Sequence, residues 1–162
     1  MKLKTSCFLL LLIMISIPSW SADQGLGFKQ QKGSLVYYSG KIILEGKFTY
    51  SMSAEDREMI GDQVCFYPSK KDGKLIPREN GDQRMPWFCF KNTRQAKDLL
   101  GISGLLKDPA FCKVSGTATV EIENYVVDKA ETDTNDSADL AKVINKSDPI
   151  IKNFSKSGQE CK

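Results

Sequence analysis

The sequence contains no histidine among its 162 residues. Histidine is the usual base that activates a serine or cysteine nucleophile, so Ser-His-Asp and Cys-His catalytic sites are excluded. The five cysteines show no C-x-x-C spacing, which together with the lack of histidine argues against a zinc site. We therefore expect neither a metal nor a cofactor.

Long apolar runs are also scarce. The longest covers residues 8–17, about half of the ~20 residues that a membrane-spanning helix needs. Two lysines precede this run, and Pro18 and the small residues Ser19 and Ser21 follow it. A basic start, a short apolar core and small residues predict a secretory signal peptide over residues 1–21. We expect no stable membrane span after its cleavage.

Net charge is low as well. The chain carries 23 basic and 20 acidic residues. Lys2 and Lys4 belong to the predicted signal peptide, which holds no acid, so the rest of the chain has a net charge of about +1. Binding to nucleic acid depends on clustered Lys and Arg, so this balance indicates no nucleic-acid partner.

The domain organisation follows from length and composition. Residues 22–33 are polar and contain three glycines, which predicts a flexible lead-in. The remainder, residues 34–162, has the length of one domain, and we expect it to form a single β-rich domain.

Four cysteines remain after Cys7 leaves with the signal peptide: Cys65, Cys89, Cys112 and Cys161. An even number in an exported chain favours disulfides over metal binding or nucleophilic catalysis. Cys65 and Cys89 each lie three residues from a proline, in two short β-type runs separated by a polar segment. This pattern predicts a hairpin closed by Cys65–Cys89, and by elimination Cys112–Cys161.

Period-two alternation predicts the main strands. From Leu44 to Met52 apolar residues occupy the even positions, and Gly46 among them predicts a bulge or sharp bend. The same alternation over residues 117–123 predicts another strand. Shorter strands are expected over residues 62–68 and 85–91.

Helices are predicted from their capping residues. Residues 53–56 open a short helical segment ended by Gly61. Asn92 and Gln95 resemble a capping box, and the helix after them should bury Ala96, Leu99 and Leu100 and end at Gly101. A second capping-box-like start at residues 136–139 predicts a C-terminal helix with Leu140, Ala141, Val143 and Ile144 on one face.

The predicted fold class is α+β and mainly antiparallel β. A long bent strand, a hairpin, a helix, a strand and a terminal helix are compatible with a small OB-like, partly open barrel or a meander with two short helices. Two disulfides would brace it.

The long loop over residues 69–84 is the candidate binding site. It carries five basic residues: Lys70, Lys71, Lys74, Arg78 and Arg84. Long loops on rigid scaffolds often carry binding, whereas the alternative is an ordinary solvated hairpin tip.

The sequence contains three other candidate sites. Oxygen-bearing residues alternate from Asp133 to Asp139 as in a calcium loop, but Ala138 and Ile144 stand where such a loop needs Gly and Glu. A glycan-binding groove would use four aromatic residues: Tyr37, Tyr38, Tyr50 and Trp87. A carboxylate-dependent hydrolase would use Glu121 and Glu123, which share one strand face.

These observations favour a non-enzymatic binding protein of the periplasm or extracellular space, with no catalytic residue. The expected partner is a protein of the cell envelope or an exported enzyme, which this domain would inhibit or neutralise as an immunity protein. A small-ligand or envelope-glycan binding module and a carboxylate-dependent hydrolase are the alternatives.

Overall fold

A computed structural model describes residues 25–78, 81–130, 135–155 and 161. The predicted signal peptide lies outside this part of the chain. The described strands are β1 (Gly25–Lys32), β2 (Leu35–Ser51), β3 (Cys65–Pro68), β4 (Phe88–Phe90), β5 (Phe111–Asp128), β6 (Asp136–Lys146) and β7 (Ile150–Asn153). The described helices are α1 (Ala54–Ile60), α2 (Thr93–Leu100) and α3 (Ile102–Leu105), with a short 3-10 helix at Asp72–Leu75.

Five of these strands pair in a ring. β2 pairs with β3, β3 with β4, β6 with β5, and β5 again with β2, all antiparallel, whereas β4 and β6 are parallel. The ring closes unevenly because β2 and β5 have 17 and 18 residues while β3 and β4 have four and three. β1 and β7 extend the sheet beyond the ring. The prediction of a mainly antiparallel β fold is confirmed.

The core lies inside this ring, where the two long strands present alternate side chains. Leu44, Phe48 and Tyr50 of β2 are buried, as are Val120 and Ile122 of β5. The period-two patterns in the sequence therefore identified both strands correctly. Burying each such side chain contributes roughly 1.5–3 kcal/mol.

Gly46 does not form the predicted bulge, because β2 keeps its register with both β3 and β5 at this residue. The glycine instead permits close packing. A Cβ atom at Gly46 would lie 2.8 Å from the Phe66 ring and closer still to the Tyr67 carbonyl oxygen. The missing side chain thus makes room for β3.

The predicted C-terminal helix is wrong, because residues 136–146 form β6. Ala138 and Leu140 are fully buried at alternate positions, a pattern that a strand satisfies as well as a helix does. β4 and β5 both present backbone groups that need partners, and β6 supplies them from between the two. A register shift between Val143 and Asn145 leaves Ile144 without a partner on β5, and its side chain is exposed.

The predicted flexible lead-in is also corrected. Gly25–Lys32 forms β1, which pairs with the first half of β2. Gly33, at φ +59°, begins the two-residue turn of this hairpin. The lead-in has little alternation of its own, and its strand conformation comes from pairing with β2.

Helix α2 starts after Asn92 and ends at Gly101 as predicted, with Gly101 in the left-handed region at φ +80°. Its buried face is rotated from the predicted one, because Leu99 is 39% exposed while Lys97 is 8% exposed. The Asn92 side chain makes no capping hydrogen bond to the backbone of the first turn. Its amide nitrogen donates to the Gln95 side chain, and its amide group pairs with the backbone N–H and C=O of Leu140. None of the helices in the described ranges has the length and apolarity to cross a bilayer.

Candidate functional site

The candidate site is the loop between β3 and β4, residues 69–87, of which 79 and 80 lie outside the described part; we call it the braced loop. Its base is closed by a disulfide between Cys65 and Cys89, which are register partners with Cα atoms 3.9 Å apart. A second disulfide joins Cys112 in β5 to Cys161 near the C-terminus. The sequence predicts these same two pairs, and such bonds persist in oxidising compartments.

The first limb of the braced loop is fixed to the edge of β2. The Ser69 N–H donates to the Glu45 carbonyl oxygen at 2.7 Å, and the Asp72 carboxylate accepts the Glu45 N–H at 2.6 Å. Gly73 packs so tightly against Pro86 that a Cβ atom there would lie 2.8 Å from the proline ring. The loop thus continues the β2–β3 ladder and also contacts its own returning limb.

Arg78, in the middle of the braced loop, anchors the loop to β6. Its Nη2 lies 2.5 Å from Asp136 Oδ2, and this carboxylate also accepts the Tyr125 hydroxyl at 2.6 Å. Asp136 is 2% exposed. An unpaired charge at a buried position would be strongly destabilising, so the ion pair holds Arg78, and with it the loop, against β6.

Arg84 forms a further brace. Its guanidinium donates to both Asp82 carboxylate oxygens, and its Nη1 donates to the Asp128 carbonyl oxygen at 3.0 Å. Hydrogen bonds from Arg84 lower the pKa of Asp82 to about 2, against the opposing effect of desolvation. The structure therefore places Arg78 and Arg84 in internal contacts that hold the loop in shape.

The other three predicted residues, Lys70, Lys71 and Lys74, face solvent. Their ammonium groups form no ion pair or hydrogen bond with the described residues. Leu75 and Met85, close to the Gly73–Pro86 contact, are 54% and 80% exposed. We call these five residues the lysine face. The sequence analysis did not identify Leu75 and Met85 as part of the site. The one indication in the sequence is that each is an apolar residue within a polar loop.

The structure does not bring the four predicted glycan-binding aromatic residues together. Tyr50 is 1% exposed, and its hydroxyl donates to Asp62 at 2.7 Å. Tyr38 packs against Tyr125 in the core, whereas Trp87 stacks on Tyr67 outside the ring. Tyr37 lies on β2 opposite Val126.

The predicted hydrolase carboxylates, Glu121 and Glu123, both contact Lys41, at 3.2 and 3.5 Å. The hydrogen bond that the Lys41 ammonium donates to Glu121 is the main cause that raises the pKa of Lys41. The two carboxylates therefore share one ammonium partner in a salt bridge on the outer surface of the sheet.

Of the calcium-loop residues, Asp133 lies outside the described part. Asp136 is engaged by Arg78, and Asp139 accepts a hydrogen bond from Asn124. Across the described residues no group of three or more His, Cys, Asp or Glu side chains is arranged to hold a metal ion.

Comparison of the chain with protein-family models, curated proteins and solved structures finds no match. Its function therefore has to be inferred from its own residues. The fold and site define a disulfide-bonded, mainly antiparallel β domain that carries a rigidly held loop.

Proposed function

We propose that this chain is an exported, non-enzymatic binding protein that recognises an acidic surface of another protein through the lysine face. One observation carries the proposal. The braced loop is fixed at its base and on both limbs, while three lysines and two large apolar side chains on it remain exposed and unpaired.

A loop held in this way favours binding because little conformational entropy is left to lose on association. Arg78 and Arg84 do the holding, so their charges are already neutralised by Asp136 and Asp82. Lys70, Lys71 and Lys74 keep their full charge for a partner. Their attraction to carboxylates would speed encounter and set orientation.

The apolar members of the lysine face suit a protein partner. Methionine is enriched at protein interfaces and adapts to the opposite surface. Met85 and Leu75 would supply buried apolar area, with the lysines forming a charged rim around them. An inhibitor or immunity protein acting on an exported enzyme, or a protein binding another envelope component, would act in this way.

The strand order supports a finer proposal about the fold, namely an OB-like barrel. If the five ring strands β2 to β6 are renumbered 1 to 5 in chain order, their order around the ring is 1-2-3-5-4 and back to 1. The third and fifth strands are parallel, and helices α2 and α3 connect the third strand to the fourth. OB-folds are five-stranded, partly open Greek-key barrels that bind ligands with their loops and outer face. The fold by itself assigns no partner.

The test is affinity capture of the disulfide-bonded protein from envelope extract, followed by measurement of Kd for the captured protein. The variant carries Lys70→Ala, Lys71→Ala and Lys74→Ala. We expect the Kd of this variant to be at least about tenfold higher than that of the unmutated protein, equivalent to about 1.4 kcal/mol. The Kd of the unmutated protein should itself rise as salt is added.

The matched control carries Lys32→Ala, Lys107→Ala and Lys142→Ala, which removes the same charge from exposed lysines outside the loop. It should bind as the unmutated protein does. Equal weakening by both triple variants would indicate attraction to total charge alone, and an unchanged Kd for the loop variant would remove the lysine face as the site.

A further inference from the structure

The outer face of β3, β2, β5 and β7 carries a second, separate arrangement of polar residues. One row across the strands joins Tyr67, Lys47 and Thr117, and a second joins Thr49, Ser115 and Ile150. The third row joins Ser51, Lys113 and Lys152. Register partners point to the same side of a sheet, so small hydroxyl residues form the centre of this face and lysines lie toward its ends. We call it the hydroxyl face.

Two lysines of this face stand directly opposite each other. Lys113 of β5 and Lys152 of β7 are register partners, and like charges in this position destabilise a strand pair. Asp56 of α1 contacts Lys113 at 3.1 Å. Lys152 and Lys47 form no ion pair with any described residue, so positive charge on the face exceeds what Asp56 neutralises.

The face is recessed. Helix α1 borders it, and the groove that α1 forms with the strands has a volume of about 960 Å³. At the β3 side Tyr67 stacks on Trp87 with ring centres 5.6 Å apart and an interplanar angle of 6°. Tyr67 is 40% exposed, so this supported ring borders the groove.

From these observations we propose that the hydroxyl face binds a short acidic oligosaccharide, independently of protein recognition by the lysine face. A sugar carboxylate would lie between Lys113 and Lys152 and relieve their repulsion. Thr49 and Ser115 would exchange hydrogen bonds with ring hydroxyls, whereas Ser51 is 5% exposed and already hydrogen-bonded to Ser53. The apolar face of one sugar ring would pack on Tyr67, which Trp87 holds in place.

An acidic sugar fits better than nucleic acid. Glu55 and Asp56 border the groove, where their carboxylates would accept hydrogen bonds from the several hydroxyl groups of a sugar ring. A single-stranded nucleic acid would also need stacking positions for successive bases. Tyr67 is the one aromatic side chain that borders this groove in the described part of the chain.

The test is titration calorimetry of the disulfide-bonded protein with tetragalacturonate, with neutral maltotetraose and with a tetranucleotide. Variants are Lys152→Gln and Tyr67→Ala, and the matched control is Lys142→Gln on β6. We expect tetragalacturonate to bind at least about tenfold more tightly than either other probe, with binding reduced at least about tenfold by Lys152→Gln and by Tyr67→Ala. The control should bind unchanged.

Lys152→Gln also distinguishes a binding role from a structural one. Because the substitution removes a like-charge pair, its thermal unfolding midpoint should stay the same or rise while sugar binding falls. Absence of tetragalacturonate binding, equal or tighter binding of the tetranucleotide, or unchanged binding by Lys152→Gln would each overturn the proposal. None of these results depends on the lysine face.

Discussion

Arg78 and Asp136 form an ion pair that joins the middle of the braced loop to the first residue of β6, with Nη2 2.5 Å from Oδ2. Asp136 also accepts the Tyr125 hydroxyl, so three separate elements meet at one carboxylate. Arg78 Nε and Asp136 Oδ1 are buried and have no hydrogen-bond partner among the described residues. The pair therefore fixes the position of the braced loop relative to β6, at a site where desolvation of the two charged groups is costly.

Removing one member of this pair should be strongly destabilising. Arg78→Ala leaves the Asp136 carboxylate buried without its cation, and we expect a loss of about 3 kcal/mol in the free energy of unfolding. Urea denaturation measures it. Arg94→Ala, on the exposed side of α2, should change this free energy by less than about 0.5 kcal/mol.

Loop rigidity gives a second readout of the same substitution. Amide hydrogen exchange in the described residues of the braced loop should accelerate in Arg78→Ala more than exchange in α2 does. Equal acceleration throughout the chain would mean that the ion pair stabilises the whole domain and does not specifically hold the loop.

Gly46 should not tolerate a side chain. Gly46→Ala forces a methyl group against the Phe66 ring and the Tyr67 carbonyl group, and we expect a cost of about 2–3 kcal/mol. Gly104→Ala is the matched control, because it lies in α3 with nothing within 4 Å of the added Cβ. That control should be neutral or stabilise by up to about 1 kcal/mol, measured by thermal unfolding. Similar losses for both would contradict the packing explanation.

Stability should fall in acid as Asp62 is protonated. Burial alone would raise the pKa of Asp62, but hydrogen bonds from Lys97, Tyr50 and Arg57 outweigh it and lower this pKa to about 2. The unfolded value is about 3.9, so the contribution of this carboxylate is complete above that pH and is lost as the pH falls toward 2.

The Asp62→Asn variant tests this dependence. It should be less stable than the unmutated protein at pH 7 by about 1 kcal/mol, a modest value because the Asp62 side chain is 55% exposed and solvent screens it. The difference between the two proteins should shrink between pH 4 and pH 2, measured by urea denaturation across this interval. A constant difference would show that the effect of the substitution does not come from ionisation.

The two disulfides should contribute comparable stability. Their sequence separations of 24 and 49 residues correspond to about 3.5 and 4 kcal/mol of chain entropy in the unfolded state. Replacing both Cys65 and Cys89 by alanine should lower the free energy of unfolding by more than about 3.5 kcal/mol, because the packing of two buried side chains is lost as well. Denaturation of each double variant under non-reducing conditions provides the comparison.

The long strands and the disulfide pairing could be predicted because their signals are local. Alternation around Leu44 and Val120 is written directly in the sequence, and so is the placement of Cys65 and Cys89 near two prolines. β6 could not be predicted in this way. Its apolar residues fit the period of a helix as well as that of a strand. The strand forms because β4 and β5 lie on either side of it and need backbone hydrogen-bond partners.

The candidate site was predicted in part. Its five basic residues lie where the sequence places them, on the loop between two paired cysteines. The two arginines form internal ion pairs with Asp136 and Asp82, whereas the three lysines remain exposed. Nothing in the sequence around these two aspartates indicates that either one pairs with an arginine. The hydroxyl face had no such signal at all, because its rows combine residues from four strands.

The sequence by itself determined the period-two strands and which cysteines pair. It did so because strand alternation and hairpin closure depend on residues near one another in the chain. Tertiary structure alone decided that residues 136–146 form a strand, that Arg78 and Arg84 face inward, and that Lys113 meets Lys152. Each depends on a partner contributed by a distant segment, whose hydrogen bonds, charge or burial outweigh the local preference.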